Sequence, residues 1–225
     1  MYKDKLVEGI KIKVIGDSIA AGGGSSMSYR TEELIFEDDG TKYFKKVAPN
    51  SWWGLLEKYL RDNYNASTIE NKGCGGAFSS QINKHLDTLI SSEDNMVFIL
   101  MGLNDRKLTN GMEELKINCE CVIDKLVNKG KIVVILTPTP SVHSNEYYPN
   151  RIYHTDNVVS ILRGVADNRE ILLIDNYQFV MEYLKKNRLK IDNIIYGEGC
   201  GNDGLHPSDH VQKLIFQNLI QTLQI

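Results

Sequence analysis

Residues 10–20 read Ile10-Lys11-Ile12-Lys13-Val14-Ile15-Gly16-Asp17-Ser18-Ile19-Ala20. The β-branched residues Ile10, Ile12, Val14 and Ile15 predict a short strand over Ile10–Ile15. Gly16-Asp17-Ser18 follows with no spacer. A serine so placed stands exposed at the carboxyl edge of a sheet, and its hydroxyl is a poor nucleophile until a base takes its proton. Gly, Asp and Ser are also the usual residues of turns and helix caps. The tripeptide alone therefore does not separate a nucleophile from a turn.

The same kind of apolar run recurs at Thr68–Asn71, Met96–Leu100, Lys131–Leu136 and Ile171–Ile174. Each is short and mostly rich in Val, Ile or Leu, as strands buried on both faces are. Between them lie helical stripes: Trp52, Leu55, Leu56 and Tyr59; Leu115, Cys119, Val122, Ile123 and Leu126; and Val211, Leu214, Ile215, Leu219 and Leu223. Alternation of this kind predicts an α/β fold with a parallel sheet between helices. Right-handed crossovers limit it to a doubly wound sheet, expected in the flavodoxin-like order. No repeat, linker or low-complexity tract interrupts residues 1–225, so one domain is expected.

Two stretches break the pattern. The first, about residues 25–50, carries Glu37-Asp38-Asp39-Gly40, a turn signal between two short strands. The second, Thr137 to about His154, holds Pro138, Pro140 and Pro149 and reads as a long loop. Both begin after a strand, on the edge where parallel sheets place their sites.

Composition narrows the function classes. The 225 residues carry 26 basic and 29 acidic side chains, a formal net charge of -3, so no basic excess points to nucleic acid. The first 18 residues lack an apolar run long enough for a signal peptide, and stretches such as Met96–Met101 suit a strand and not a membrane span. A cytoplasmic protein is expected. Cys74, Cys119, Cys121 and Cys200 contain no Cys-x-x-Cys pair and read as free thiols in a reducing compartment.

Three further blocks carry chemistry. Asn71-Lys72-Gly73-Cys74-Gly75-Gly76-Ala77-Phe78-Ser79 follows the second strand, and its glycines let a backbone amide approach a developing oxyanion. Gly102-Leu103-Asn104-Asp105 follows the third, where Asn104 offers an amide donor. Asp203-Gly204-Leu205-His206 precedes the last helix, with a spacing that lets one turn bring a carboxylate to an imidazole. Separately, these read as well as a glycine-rich turn, a helix start and a surface loop. In this order they supply the parts of one acyl-transfer site.

Together the four blocks resemble the GDSL/SGNH hydrolase family, whose motifs are Gly-Asp-Ser, a glycine after the second strand, Gly-x-Asn-Asp and Asp-x-x-His. The resemblance spans nearly the whole chain. It implies a three-layer α/β/α fold with a five-stranded parallel sheet, and an esterase with Ser18 as nucleophile, His206 as base and Asp203 as its partner. It implies an oxyanion hole of the Ser18 and Gly76 backbone N–H groups and the Asn104 side chain. Gly76 is preferred to Gly73 and Gly75 because the family's glycine falls five residues after an asparagine such as Asn71. Asp17 is then a structural support of the nucleophile turn. Residues 25–50 depart from compact family members, which enter the first helix sooner.

The expected reaction is serine-dependent hydrolysis of short acyl esters, acetyl above all, on a small-molecule or carbohydrate alcohol, with no metal or organic cofactor. The alternatives are acyl transfer to sugars by the same site, lysophospholipase or thioesterase activity, and a non-catalytic binding module. His143, Tyr147, Tyr148 and Tyr153, on the second irregular stretch, are the expected substrate contacts. Trp52 and Trp53 share a helical stripe and are assigned to the core. Gly22-Gly23-Gly24 is followed by no Gly-Lys-Ser/Thr and fails the dinucleotide pattern at its third glycine. Asp203, His206 and His210 have tolerable metal spacing, but a metal there leaves Ser18, Gly76 and Asn104 without a role.

Overall fold

A computed structural model describes residues 2–197 and 202–225. Its strands are β1 (Lys11–Gly16), β2 (Tyr29–Asp38), β3 (Thr41–Val47), β4 (Thr68–Gly73), β5 (Met96–Leu100), β6 (Ile132–Leu136) and β7 (Leu172–Ile174). Its helices are α1 (Tyr2–Glu8), α2 (Trp52–Asn63), α3 (Ser79–Lys84), α4 (Leu86–Leu89), α5 (Gly111–Asn128), α6 (His143–Glu146), α7 (Thr155–Asn168), α8 (Asn176–Asn187) and α9 (Asp209–Leu223). Every strand expected from the apolar runs is present, with ends shifted by two residues at most. The five form one parallel sheet in the order β4-β1-β5-β6-β7, the flavodoxin-like arrangement.

The continuous apolar runs divide by the two-residue period of a strand. Val97 and Ile99 of β5 and Val133 and Ile135 of β6 join one core with α3, α4, α5 and α7. Met96, Phe98 and Leu100, with Val134 and Leu136, join a second core with α1, α2 and α9. The result is three layers, and α9 meets α8 through a smaller cluster around Val180 and Val211. Trp52 and Trp53 are buried, and Trp52 Nε1 donates to the Ile19 carbonyl at 3.1 Å.

Residues 29–47 depart from the irregular reading: they form an antiparallel hairpin. Its tip is Asp39-Gly40, both at positive φ (45° and 75°), as the Glu37–Gly40 turn signal predicts. Ile35, Phe36 and Tyr43 bury their rings and chains in the first core. Asp38 accepts from Gln81 Nε2 at 3.0 Å and pairs with Lys84 and the His85 ring, while Tyr43 donates to Gln81 Oε1 at 2.9 Å. These contacts fix the hairpin on α3 and α4, beside the carboxyl edge of the sheet. Among the described residues no helix is long and apolar enough to cross a membrane. Cys74, Cys119 and Cys121 are free thiols, and burial pushes the first two up to about 12. Cys200, read as a fourth, lies outside the described residues.

Candidate active site

The turn after β1 places Ser18. Gly16 has φ 137°, and a Cβ there would lie 1.7 Å from the Leu100 carbonyl oxygen of β5. Only glycine lets the chain pass so close and turn upward. Asp17 N–H then donates to Leu100 O at 3.0 Å, and Ser18 rises at the carboxyl edge.

His206, 188 residues further along, reaches that hydroxyl. Its Nε2 is 2.7 Å from Ser18 Oγ, and its Nδ1 is 2.7 Å from Asp203 Oδ2. The other carboxylate oxygen of Asp203 accepts the backbone N–H groups of Leu205 and His206, each at 3.0 Å. Partial burial alone would raise the Asp203 carboxyl. The hydrogen bonds from the His206 ring and backbone, the His206 charge and the Leu205 N–H outweigh it and hold the group well below the usual carboxylate range. An ionised carboxylate accepts and cannot donate, so in a neutral ring Nδ1 carries the proton. Nε2 is then the acceptor, and the Ser18 hydroxyl donates to it.

Gly23 and Gly24 explain how the His206 loop comes so near. A Cβ on Gly23 would sit 2.9 Å from His206 Cδ2, and one on Gly24 2.5 Å from the Pro207 carbonyl oxygen. These glycines, which fit no nucleotide motif, admit the loop. His210, the third residue of the metal alternative, instead meets the Tyr183 hydroxyl at 3.2 Å.

Gly76 and Asn104 face the same space as Ser18. Asn104 Nδ2 donates to Ala77 O at 3.0 Å, and Lys107 Nζ donates to Asn104 Oδ1 at 3.0 Å. A carbonyl only accepts and an ammonium only donates, so the amide has one consistent orientation, with one N–H left over. Asp105 ties the two blocks together: it accepts the Ser79 hydroxyl at 2.5 Å and the Ser79 N–H at 3.2 Å, fixing the turn that bears Gly76. Burial raises the Asp105 carboxyl, and these Ser79 donors oppose the rise.

Asp17 lies beneath the Ser18 turn, where its carboxylate accepts Ile19 N–H at 2.9 Å and Leu103 N–H at 3.4 Å. Complete burial pushes it up to about 6, against those donors and the His206 charge. The ordinary value is 3.8. Between the two, the folded chain keeps a proton that the unfolded chain has released, so this group's contribution to stability falls as pH rises through that window. Asp17→Asn stays neutral and can still accept from Ile19. Relative to wild type it should gain roughly 3 kcal/mol between pH 4 and pH 7. Urea unfolding across that range tests this, and parallel pH profiles would contradict it.

Residues with no motif complete the site. Arg106, fully buried, donates to Leu103 O at 3.1 Å, Thr155 Oγ1 at 2.8 Å, and Glu146 and Asn145 Oδ1 at 3.3 Å. Asn145 in turn donates to the Asp203 carbonyl at 3.2 Å. The Gly-Leu-Asn-Asp turn is thereby linked to the loop of Asp203. Burial lowers the Arg106 pKa and Glu146 opposes that. The cleft above Ser18 holds about 510 Å³ and has the β2–β3 hairpin as one wall, through Arg30, Tyr43, Phe44 and Lys46. Lys107 and Arg151 stand among the other walls.

The four expected substrate contacts are elsewhere. None of His143, Tyr147, Tyr148 or Tyr153 is among the described residues lining this cleft. Tyr148 borders a neighbouring groove with Arg151 and Asp203. His143 and Tyr147 pack at a tilt with 4.3 Å between centroids, and the Tyr153 hydroxyl donates to Thr109 O at 2.6 Å. Proline-rich order folds that loop onto itself and onto Arg106. Its one contribution to the cleft is a residue that drew no attention in the sequence, Arg151.

No curated protein sequence matches the chain. Among solved structures, the acetylxylan esterase Axe2 from Geobacillus stearothermophilus is similar at 19% identity and a TM-score of 0.71, covering 96% of this chain and 95% of that one. LAE5, an alpha/beta hydrolase enzyme from the metagenome of Lake Arreo, Spain, is similar at 18% identity and a TM-score of 0.71, with the same coverage. At these identities the likeness is one of fold. Residues 14–214 match the family described as GDSL-like Lipase/Acylhydrolase, a span that begins within β1 and ends within α9 and so contains all four motif blocks. The chain belongs to the GDSL-like lipase/acylhydrolase family and is an esterase-type acylhydrolase by that membership.

Proposed function

We propose that the chain hydrolyses short acyl esters, acetyl esters above all, carried on carbohydrate, with Ser18 as nucleophile, His206 as general base and acid, and Asp203 as the group that orients His206. The observation that carries this reading is the pair of 2.7 Å contacts joining Ser18 Oγ, the His206 ring and Asp203 in one line. Nε2 takes the hydroxyl proton as Oγ bonds to the ester carbon. The tetrahedral oxyanion is held by the Ser18 and Gly76 N–H groups, which have no hydrogen-bond acceptor among the described residues, and by the spare Asn104 N–H. The Nε2 proton then passes to the departing alcohol oxygen as its bond to carbon breaks. Water repeats the sequence to release the acid.

Cleft shape supports the substrate class. The cleft is open to solvent, so a bulky alcohol portion fits and water reaches the acyl-enzyme. Among the described residues its apolar lining is Tyr43, Phe44, Leu103 and Leu205, which form no extended apolar groove for a long acyl chain. The similarity to acetylxylan esterases agrees with an acetyl group on sugar.

A fluorophosphonate probe should label Ser18 in folded wild-type protein, and an unlabelled Ser18 would end the reading. Asn104→Ala removes a donor that matters only once the oxyanion forms. It should lower kcat by about 10²–10³-fold and leave KM for p-nitrophenyl acetate nearly unchanged. A loss confined to KM would instead assign Asn104 to ground-state binding.

A further inference from the structure

The chain carries a formal charge of -3, yet the cleft above Ser18 is lined by five cations, Arg30, Lys42, Lys46, Lys107 and Arg151. Its only carboxylate among the described residues is Asp203, which His206 already engages. The cations come from separate segments: three from the β2–β3 hairpin, one from the turn after β5 and one from the loop before α7. They therefore converge by folding and not by a charged run in the sequence.

These cations are poorly compensated within the protein. Among the described residues, Arg30, Lys46, Lys107 and Arg151 form no ion pair, and Lys42 approaches Glu37 only at 3.8 Å. The Arg30 guanidinium lies 4.6 Å from the Phe44 ring centroid, which holds its plane at the rim. Among the described residues the Arg151 guanidinium has one hydrogen bond, to Asn150 Oδ1 at 3.0 Å, and its buried Nε has no partner. Arg151 also lines the cleft, and a guanidinium is the side chain best suited to bind a carboxylate or phosphate. Burial lowers the Lys107 pKa, and the like charges of Arg151 and Arg106 add to that against the favourable charge of Asp17. Lys46 is close to the reacting atoms: a Cβ on Gly75 would lie 3.9 Å both from its Nζ and from Ser18 Cβ.

We infer that the alcohol portion of the ester substrate is anionic, an acylated sugar bearing a carboxylate or phosphate that Lys46, Lys107 and Arg151 bind beside Ser18. This rests on the esterase reading above, since an acetyl group has no charge and the anion must sit on the alcohol. The cationic cleft in an acidic protein would also concentrate such a substrate at the site.

The test compares kcat/KM for mono-O-acetyl glucose, mono-O-acetyl glucuronate and mono-O-acetyl glucose phosphate. At low salt at least one anionic ester should be favoured over the neutral one by about tenfold or more. That preference should shrink toward unity at about 0.5 M NaCl, where the Debye length is only a few ångströms. The better of the two anionic esters identifies carboxylate or phosphate as the recognised group. Lys46→Gln combined with Arg151→Gln should reduce the anionic-to-neutral ratio, chiefly through KM. Equilibrium binding of the same three compounds to Ser18→Ala reads the preference without turnover. Equal or better binding and turnover of the neutral ester at low salt overturns the inference while leaving the esterase reading intact. Failure of wild-type protein to cleave even p-nitrophenyl acetate overturns the esterase reading, and the binding comparison still decides the charge preference. The wild-type salt dependence decides it even if the double variant does not fold.

Discussion

Ser18→Ala is expected to lower kcat for p-nitrophenyl acetate by roughly 10⁵–10⁶-fold, and Ser18→Ala/His206→Ala to lower it little further. The reason is the single proton shared across the 2.7 Å contact between Oγ and Nε2. Without the hydroxyl there is nothing for the ring to deprotonate, and without the ring the hydroxyl is an ordinary alcohol. The two losses are therefore one loss, and the cycle is strongly non-additive. What remains in either variant is the oxyanion donors and the cleft, which still favour attack by water to a small extent. The substitution should not unfold the protein. Ser18 is only partly buried, its side chain bonds among the described residues only to His206, and the turn is held by Gly23 N–H donating to the Ser18 carbonyl at 2.7 Å. Unchanged thermal unfolding with abolished turnover is the expected pair of results. Additive losses from Ser18→Ala and His206→Ala, each of a few tens of fold, would mean that hydroxyl and ring do not act as a unit.

Much of this site was legible in the sequence because each of its parts directly follows a strand or precedes a helix. A Gly-Asp-Ser after an apolar run, a glycine turn, Asn104 and an Asp-x-x-His before α9 all obey local rules of chain direction. In a parallel sheet those rules are enough to bring them to one edge. The walls of the cleft obey no such rule. Arg30, Lys42 and Lys46 face Ser18 only because Ile35, Phe36 and Tyr43 of the hairpin are buried against α3 and α4. That docking is a tertiary event, invisible in a stretch read as irregular. Likewise Arg106 stands directly after the Asn-Asp pair, but its burial against Glu146, Asn145 and Thr155 depends on where the 137–154 loop folds. The aromatic residues of that loop looked suited to bind sugar, yet His143, Tyr147 and His154 pack on one another. Aromatic residues in a loop near a site carry two readings, stacking on a ligand or on each other, and composition does not separate them.

Asp203→Asn is the second large effect expected, about 10⁴-fold in kcat, and it separates orientation from charge. Asp203 serves two customers with its two oxygens: Oδ1 accepts the Leu205 and His206 backbone N–H groups, and Oδ2 accepts His206 Nδ1–H. An asparagine has one acceptor oxygen. Two backbone donors outweigh one ring donor, so the oxygen stays with them and the new NH₂ turns toward Nδ1. Nδ1 must then accept, which moves the ring proton to Nε2 and points it at Ser18. In that tautomer His206 cannot take the hydroxyl proton, although every heavy atom is in place. Removal of the carboxylate also leaves the imidazolium formed during attack without its counter-charge. Stability changes with a definite sign. The folded Asp203 carboxyl is held below its ordinary value of 3.8, so it stabilises the fold above that pH and the contribution is lost as pH falls. Asp203→Asn should therefore cost stability near neutral pH, and the gap with wild type should narrow progressively as pH falls below about 4. Kinetics with p-nitrophenyl acetate, ring ¹⁵N shifts for the His206 tautomer, and unfolding at two pH values form the measurement. Turnover within tenfold of wild type, with the proton still on Nδ1, would show that the 203 side chain does not set the state of the ring and would remove it from the proposed catalytic set.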